Sequence, residues 1–258
     1  MINASVAFVA FRTIVRKEVV RFMRIWTQTL LPSAITQSLY FLIFGAFIGS
    51  QIAPVKGVSY MAFIIPGIVM MAIIMNSYLN VASSFFGAKF QRHVEELLVS
   101  PTPDWVILSG YVAGGVLRGM LVGLIVFAVS WAFVHPTIAH PFIILLFGIL
   151  TALVFSLGGF VNAIFARKFD DVSIVPTFIL TPLTYLGGVF YSIDQLPEFW
   201  RTISHANPIV YMVDGFRYGF YGFTDISVWI SAAVLLGFSV VLTMVALWLL
   251  RRGTGMRT

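Results

Sequence analysis

The chain has 258 residues, of which 59% are hydrophobic and only 10% charged, and its mean hydropathy is +0.96. A water-soluble domain carries about a quarter charged residues, so lipid must solvate much of this exterior, and neither a soluble enzyme nor a nucleic-acid-binding domain fits. The net charge of +6 is then read as Lys and Arg held on the cytoplasmic side of a membrane, and the absence of Cys removes disulfides, thiol catalysis and Cys-based metal sites.

Residues 5–26 set Arg12, Arg16, Lys17, Arg21 and Arg24 on one half of a helix circumference. Phe8, Phe11, Ile14, Val15, Val19, Phe22, Ile25 and Trp26 fall on the other half. This is the pattern of an amphipathic helix lying in the interface, its cations facing anionic headgroups. A cleaved leader fits poorly, because the basic region is too long and the next apolar run is of spanning length.

Six apolar runs follow, near 29–50, 59–87, 106–134, 141–165, 172–190 and 227–250, giving an all-α integral membrane fold in one domain over 1–258. The fifth is the weakest, being short and interrupted by Pro176 and Pro182. With six spans, the N-terminal cations, Lys89, Arg92, Arg167, Lys168, Arg251, Arg252 and Arg257 share one side. Lys56, Arg201 and Arg217 take the other. That asymmetry places both termini in the cytoplasm.

Polar residues inside the runs admit two readings each. Arg118, between Gly114-Gly115 and Gly119, either snorkels to the cytoplasmic face or meets a buried partner or an acidic group of a substrate. Asn76, Asn80 and Ser83 follow i, i+4, i+7, as do Thr177, Thr181 and Thr184 with Tyr185 beside them. Such stripes either bond neighbouring helices or line a passage. Asp170 and Asp171 fit the first turn of the fifth span better than acid–base work. His93, His135, His140 and His205 lack the spacing of a metal site, so no metal is expected. No GxxxxGK[ST] phosphate loop occurs, and no catalytic residue is assigned.

Residues 187–222 are aromatic and broken by Gly and Pro. Two short helices split near Asn207-Pro208 are expected, with Asp214 and Arg217 placed to pair at i, i+3. The apolar content favours an external re-entrant hairpin over 191–223 rather than a plain loop. Residues 88–104 gather Lys89, Gln91, Arg92, His93, Glu95 and Glu96. A helix from Ala88 to Ser100, stopped by Pro101 and Pro103, would set Lys89, Arg92, Glu95/Glu96 and Val99 along one side with Leu97 and Leu98 beside them. That pattern fits either a solvated connection or a helix that docks into a groove on a soluble partner.

The stretches SSFFGAKFQRHVEELLVSPTP and FDDVSIVPTFILTPLTYLGGVFYSIDQLPEFW…NPIVYMVDGFRYGF, with the order of features around them, resemble the ABC-2 class of ABC-transporter permeases. The likeness covers essentially the whole chain and is nearest the branch of nodulation lipo-oligosaccharide exporters and related bacterial inner-membrane permeases. The resemblance implies a half-transporter whose two copies pair, each bound to a separate ABC ATPase subunit that holds ATP and Mg. It implies that 88–104 is a coupling helix, with Lys89, Gln91, Arg92, Glu95, Glu96 and Leu98 at the ATPase contact. Asn76, Asn80, Thr177, Thr181, Thr184 and Tyr185 would border a central passage, and Asn207, Pro208, Asp214 and Arg217 would belong to an upper, external gate. Lipids, glycans, glycolipids or drugs are the implied cargo, with no enzymatic site on this chain.

Two other classes compete. An ion- or proton-coupled secondary carrier needs ionisable groups at membrane depth, where Arg118 alone is credible and no carboxylate is central. An intramembrane enzyme acting on lipids needs a clustered acid, base or metal set, and the sequence offers none.

Overall fold

Prolines, glycines and capping residues divide the chain into helices, and the computed structural model describes them over residues 4–255. Residues 1–3 and 256–258, Arg257 of the basic count among them, lie outside the described residues, as does the side chain of Leu98. α1 is Ala4–Arg24, without an internal Gly or Pro. It breaks at Ile25, and α2 follows as Trp26–Gln51. The winding of α2 loosens to a π-helix over Phe41–Ile48 and closes on the 3-10 turn Gly49–Gln51. A tight turn at Lys56-Gly57, both left-handed, leads to α3, Tyr60–Phe90. Ser59 caps α3 by accepting from the Ala62 N–H at 3.3 Å.

α4 is the short helix His93–Val99. α5 is Asp104–Ser130, entered after Pro101 and Pro103, and α6 is Pro141–Phe165, with Pro141 at its first turn. α7 covers 169–185 in three pieces: Phe169–Val175, a π segment Pro176–Leu180, and Thr181–Tyr185. α8 (Glu198–His205) and α9 (Pro208–Tyr221) form a helical pair, and α10 is Val228–Arg252.

α3 is the axis of the bundle. In its most apolar stretch 89% of residues are buried, against 17% in α2 and 28% in α10, so the latter two stand at the periphery. Small residues let the inner helices close on it. A Cβ at Gly119 of α5 would lie 1.8 Å from Ser77 Oγ, and one at Gly159 of α6 would lie 2.4 Å from the Tyr78 carbonyl oxygen. The peripheral faces carry exposed Ile35, Leu39 and Phe47 on α2 and Trp229, Val240 and Met244 on α10, as lipid-facing surfaces do.

Pro66 sits inside α3 and has no N–H for the Ala62 carbonyl. The Tyr221 hydroxyl supplies the missing donor at 2.6 Å, so α9 completes the hydrogen bonding of α3.

Among the described residues five helices (α2, α3, α5, α6 and α10) are long and apolar enough to cross a membrane. α7 falls short of the expected 172–190 span. At about 1.5 Å per residue it extends roughly 25 Å, less than the ~30 Å of hydrocarbon. It ends because Gly188 takes a left-handed φ of +75° and reverses the chain after Gly187.

The helix expected over 88–100 is also two pieces. α3 runs on to Phe90, and Arg92 adopts φ 62°, ψ 9° ahead of α4. Lys89 therefore belongs to α3, and the single charged side expected from Lys89 to Val99 is interrupted at this corner.

Candidate functional site

The most polar place in the bundle is where α1 meets α3 and α5. The side chain missing at Gly110 leaves room for Ile14, and that at Gly114 for Glu18, whose Cβ would be 2.5 Å from a Cβ there. α1 therefore lies directly against α5, and Glu18 is fully buried. Its Oε1 accepts from Ser84 Oγ at 2.6 Å and its Oε2 from Arg21 Nη2 at 2.9 Å. The same Arg21 nitrogen donates to Asn80 Oδ1 at 2.8 Å and to the Asn80 carbonyl at 3.1 Å.

From α5, Arg118 donates to Asn80 Oδ1 (3.5 Å), Asn76 Oδ1 (3.4 Å) and the Thr29 carbonyl (3.1 Å). Ser33 of α2 closes the network, accepting from Asn76 Nδ2 at 3.1 Å. The carboxylate thus pairs with Arg21 alone, and carboxamide and carbonyl oxygens are the partners of Arg118.

These contacts decide the open reading of Arg118 and correct two expectations. Arg118 does not snorkel; it is 9% exposed and takes buried partners. Arg21 does not face headgroups but turns into the protein, because Glu18 beside it is buried without another cation. A buried carboxylate does stand within the bundle, delivered by α1 rather than by a span. Asn76 and Asn80 bond helix to helix here, the first of the two readings open to them.

Sequence reasoning missed Glu18, Thr29 and Ser33. Thr29, Ser33 and Gln37 repeat at i, i+4, i+8 in the first apolar run, and Glu18 is the one acid in α1. Both signals were present.

The threonines of α7 do not share a face. Thr177 is exposed, Thr181 half-buried and Thr184 buried. The π segment is the reason, since each of its residues advances less around the axis than in an α-helix and the i, i+4, i+7 alignment is lost. Thr181 and Thr184 bond back to the carbonyls of Pro176 (2.8 Å) and Leu180 (2.6 Å). Tyr185 is exposed, and its hydroxyl meets that of Tyr40 on α2 at 2.7 Å.

At the end of the bundle carrying α4, Lys89 Nζ donates to the carbonyls of Ile164 and Ala166, each at 2.7 Å, capping the end of α6. α4 itself buries Val94 but exposes Glu95, Glu96 and Val99, the last at 88%. Gln91 and Arg92 are exposed at the corner. Nearby, Asp171 accepts from the backbone N–H groups of Arg167 (2.8 Å) and Lys168 (3.2 Å), which holds its carboxyl below the usual range. This is the capping role that its position suggested.

The opposite end is closed by the α8–α9 pair. Asn207 Oδ1 caps α9 by accepting from the Ile209 N–H (3.0 Å), and its Nδ2 donates to the Leu183 carbonyl (2.7 Å), tying Pro208 and α9 to α7. Asp214 and Arg217 do not form the expected i, i+3 pair. Asp214 accepts from Thr224 Oγ1 and from the N–H groups of Asp225 (2.9 Å) and Ile226 (3.0 Å). Arg217 donates to the Gly188 carbonyl at 2.7 Å and stacks 4.0 Å above the Phe63 ring. Each is drawn to backbone groups left open by a neighbouring turn, which a helical spacing rule does not see.

Lys56 from the α2–α3 turn joins Asp194 (3.1 Å) and Asp225, and Ser192 donates to Asp225 at 2.9 Å. Burial opposes ionisation of Asp225, but Lys56 and Ser192 outweigh it and hold the carboxyl below its ordinary value.

The helices, their apolar peripheral faces and the charge network buried among them define a multi-pass membrane protein with no soluble core of its own. The chain belongs to the ABC-2 type transporter family, whose model matches residues 9–221. It is 56% identical over 252 residues to the inner membrane transport permease YadH of Escherichia coli K12, covering 97% of this chain and 98% of that one. It is more distantly similar to Nodulation protein J of Rhizobium leguminosarum bv. viciae, 26% identical over 221 residues and 83% of each chain. Nodulation protein J of Rhizobium meliloti strain 1021 is 23% identical over 248 residues, 92% of this chain and 91% of that one.

Proposed function

We propose that this chain is the permease subunit of an ATP-driven exporter of the bacterial inner membrane. Two copies pair, and each binds a separate ATPase subunit that holds ATP and Mg. The observation that carries this reading is α4. A lipid-solvated bundle projects a short helix whose acids, Glu95 and Glu96, and bare Val99 are exposed at the tip of its longest span. Charge for register beside an apolar anchor is what helix-in-groove docking uses.

Lys89 fixes α3 to the end of α6, so a push on α4 moves two spans together. Gln91, Arg92 and Leu98 complete the contact region. In this reading the α4 end is cytoplasmic, α7 makes a sixth pass with help from the turn after it, and both termini lie in the cytoplasm, as the Lys and Arg distribution favours.

The passage runs between protomers along the outer flank of α2 and α7. The hydroxyl pair Tyr40–Tyr185 and the exposed Thr177 supply polar groups there, where lipid would be a poor partner. Thr181 and Thr184 stand behind that flank, and Asn76 and Asn80 behind α2. The α8–α9 pair, held by Asn207, Asp214 and Arg217, covers the external end. The cargo class is that of the family: lipid-, glycan- or drug-like molecules.

A proton-coupled carrier would need a titrating carboxylate, and Glu18 is now a buried one. Both of its oxygens are already occupied, however, by Arg21 and Ser84. Structural use accounts for it.

The test is co-purification. The ATPase subunit is expected to travel with the wild-type chain and to be lost from E95A/E96A/V99A, with the chain alone showing no ATP hydrolysis. Equal retention by that variant would overturn the role of α4. Transport that survives without ATP but collapses with the proton gradient would restore the carrier.

A further inference from the structure

The α4 end of the bundle also carries a crevice of about 750 Å3. Glu95, Glu96 and Val99 do not line it, although Arg92 belongs both to it and to the edge of the proposed ATPase contact. Its polar wall is Lys89, Arg92 and Arg167, and its apolar wall is Phe86, Phe90 and Phe165. No carboxylate lines it among the described residues.

The cations are available. An ammonium has three N–H bonds, and Lys89 spends two on the Ile164 and Ala166 carbonyls. The guanidiniums of Arg92 and Arg167 make no hydrogen bond or ion pair among the described residues, although guanidinium geometry suits two oxygens of a phosphate at once.

The crevice is shaped by backbone as well as by charge. Arg92 holds a left-handed φ of 62°, rare for a residue with a side chain. Gly255, at φ +69°, lets the chain after α10 fold back until a Cβ there would be 2.6 Å from the Ile164 carbonyl oxygen, closing the far wall.

The apolar side is exposed where water would leave it bare. Phe90 is 63% and Phe165 57% exposed, and Phe169, 56% exposed, packs edge-on to Phe86 (4.9 Å) and Phe90 (5.2 Å). A free anion has no use for that aromatic rim; an amphiphile has. The position agrees. α3 has 31 residues, about 46 Å at 1.5 Å per residue, which outreaches the ~30 Å hydrocarbon layer and leaves its last turn among headgroups.

We propose that this crevice binds an anionic phospholipid, its phosphate among Lys89, Arg92 and Arg167 and an acyl chain along Phe86, Phe90 and Phe165. The inference does not depend on the ATPase. It concerns the chain alone in its membrane.

The experiment uses the full chain purified without any ATPase. It is reconstituted in nanodiscs of phosphatidylcholine, with or without equimolar phosphatidylglycerol, and retained lipid is counted by native mass spectrometry. The wild type is expected to keep phosphatidylglycerol over phosphatidylcholine. R92Q/R167Q is expected to keep about tenfold less, since two charge-assisted contacts are lost. Both arginines are exposed and unbonded, so the variant should melt as the wild type does.

R92K/R167K should restore much of the retention, and F90A/F165A should weaken it with the cations intact. R251Q/R252Q, basic but outside the crevice, should retain lipid normally. Equal retention by R92Q/R167Q would overturn the proposal, as would equal loss from R251Q/R252Q. Full displacement by inorganic phosphate with F90A/F165A unaffected would make it a free-anion site. In a separate co-purification with the ATPase subunit, its loss from R92Q/R167Q alongside normal lipid retention would make the crevice a protein-docking site instead.

Discussion

Replacing Glu18 by Gln removes one charge and no volume. Gln offers a single acceptor oxygen, so Ser84 and Arg21 can no longer both donate to this side chain, as they do at 2.6 and 2.9 Å. The lost charge also leaves Arg21 without its counter-ion. Breaking a buried ion pair costs about 3–5 kcal/mol. The Arg21 side chain is 29% exposed, so water recovers part of that and a net loss of about 2–3 kcal/mol is expected. For a chain of this size each kcal/mol lowers Tm by roughly 2–4 °C, which gives a drop of roughly 4–12 °C.

The assay is intrinsic-fluorescence melting of the full chain in nanodiscs for E18Q, R21Q and E18Q/R21Q. The pair is expected to be non-additive, with the double variant little worse than E18Q alone. A drop below about 2 °C for E18Q, or strict additivity, would refute the argument that α1 is held by this charge. If Arg21 merely faced headgroups, R21Q would be neutral.

Two glycines give opposite expectations in the same melting assay. G119A drives a Cβ to within 1.8 Å of Ser77 Oγ and 3.2 Å of the Ile73 carbonyl oxygen, and should destabilise by about 1–3 kcal/mol. G87A meets nothing within 4 Å, and should be neutral or gain up to about 1 kcal/mol from helix propensity. Asp225 predicts a pH dependence. Its folded pKa lies below the ordinary 3.8, so its stabilisation is complete above that value and is lost as pH falls through the folded pKa. The melting difference between wild type and D225N should be constant above about pH 5 and vanish in strong acid; a difference that grows on acidification would contradict the Lys56–Asp225 contact.

What could be read in the sequence was whatever depends on continuous apolar length. α3, α5, α6 and α10 each fill an uninterrupted run, so their ends fell within a few residues of those expected. The end of α7 was hidden because apolar residues continue to Phe190, while the left-handed Gly188 decides where the helix stops. The π segments of α2 and α7 were hidden too, since a stripe drawn at 3.6 residues per turn assumes regular winding. A wheel drawn for α1 puts Glu18 on the apolar half, between Phe11 and Ile25, so its burial was legible there. What the wheel cannot show is that α5 arrives at that face over Gly110 and Gly114, or that Ser84 and Arg21 supply the partners.

The burial of Glu18 also constrains the order in which the protein can be made. α1 leaves the ribosome before the helices it packs on, since Ser84 follows Glu18 by 66 residues and the Gly114 that makes room for it comes later still. Until α5 has been inserted there is nowhere to put that carboxylate. The carboxylate must therefore stay hydrated while α2 and α3 are made. Arg118, for its part, enters the bilayer beside an α3 that already offers Asn76 and Asn80, so its insertion is cheapest when the two helices enter as a pair. Docking of α1 is then a late step that seals the bundle, and a chain halted before α5 would leave its first helix adrift and open to proteolysis.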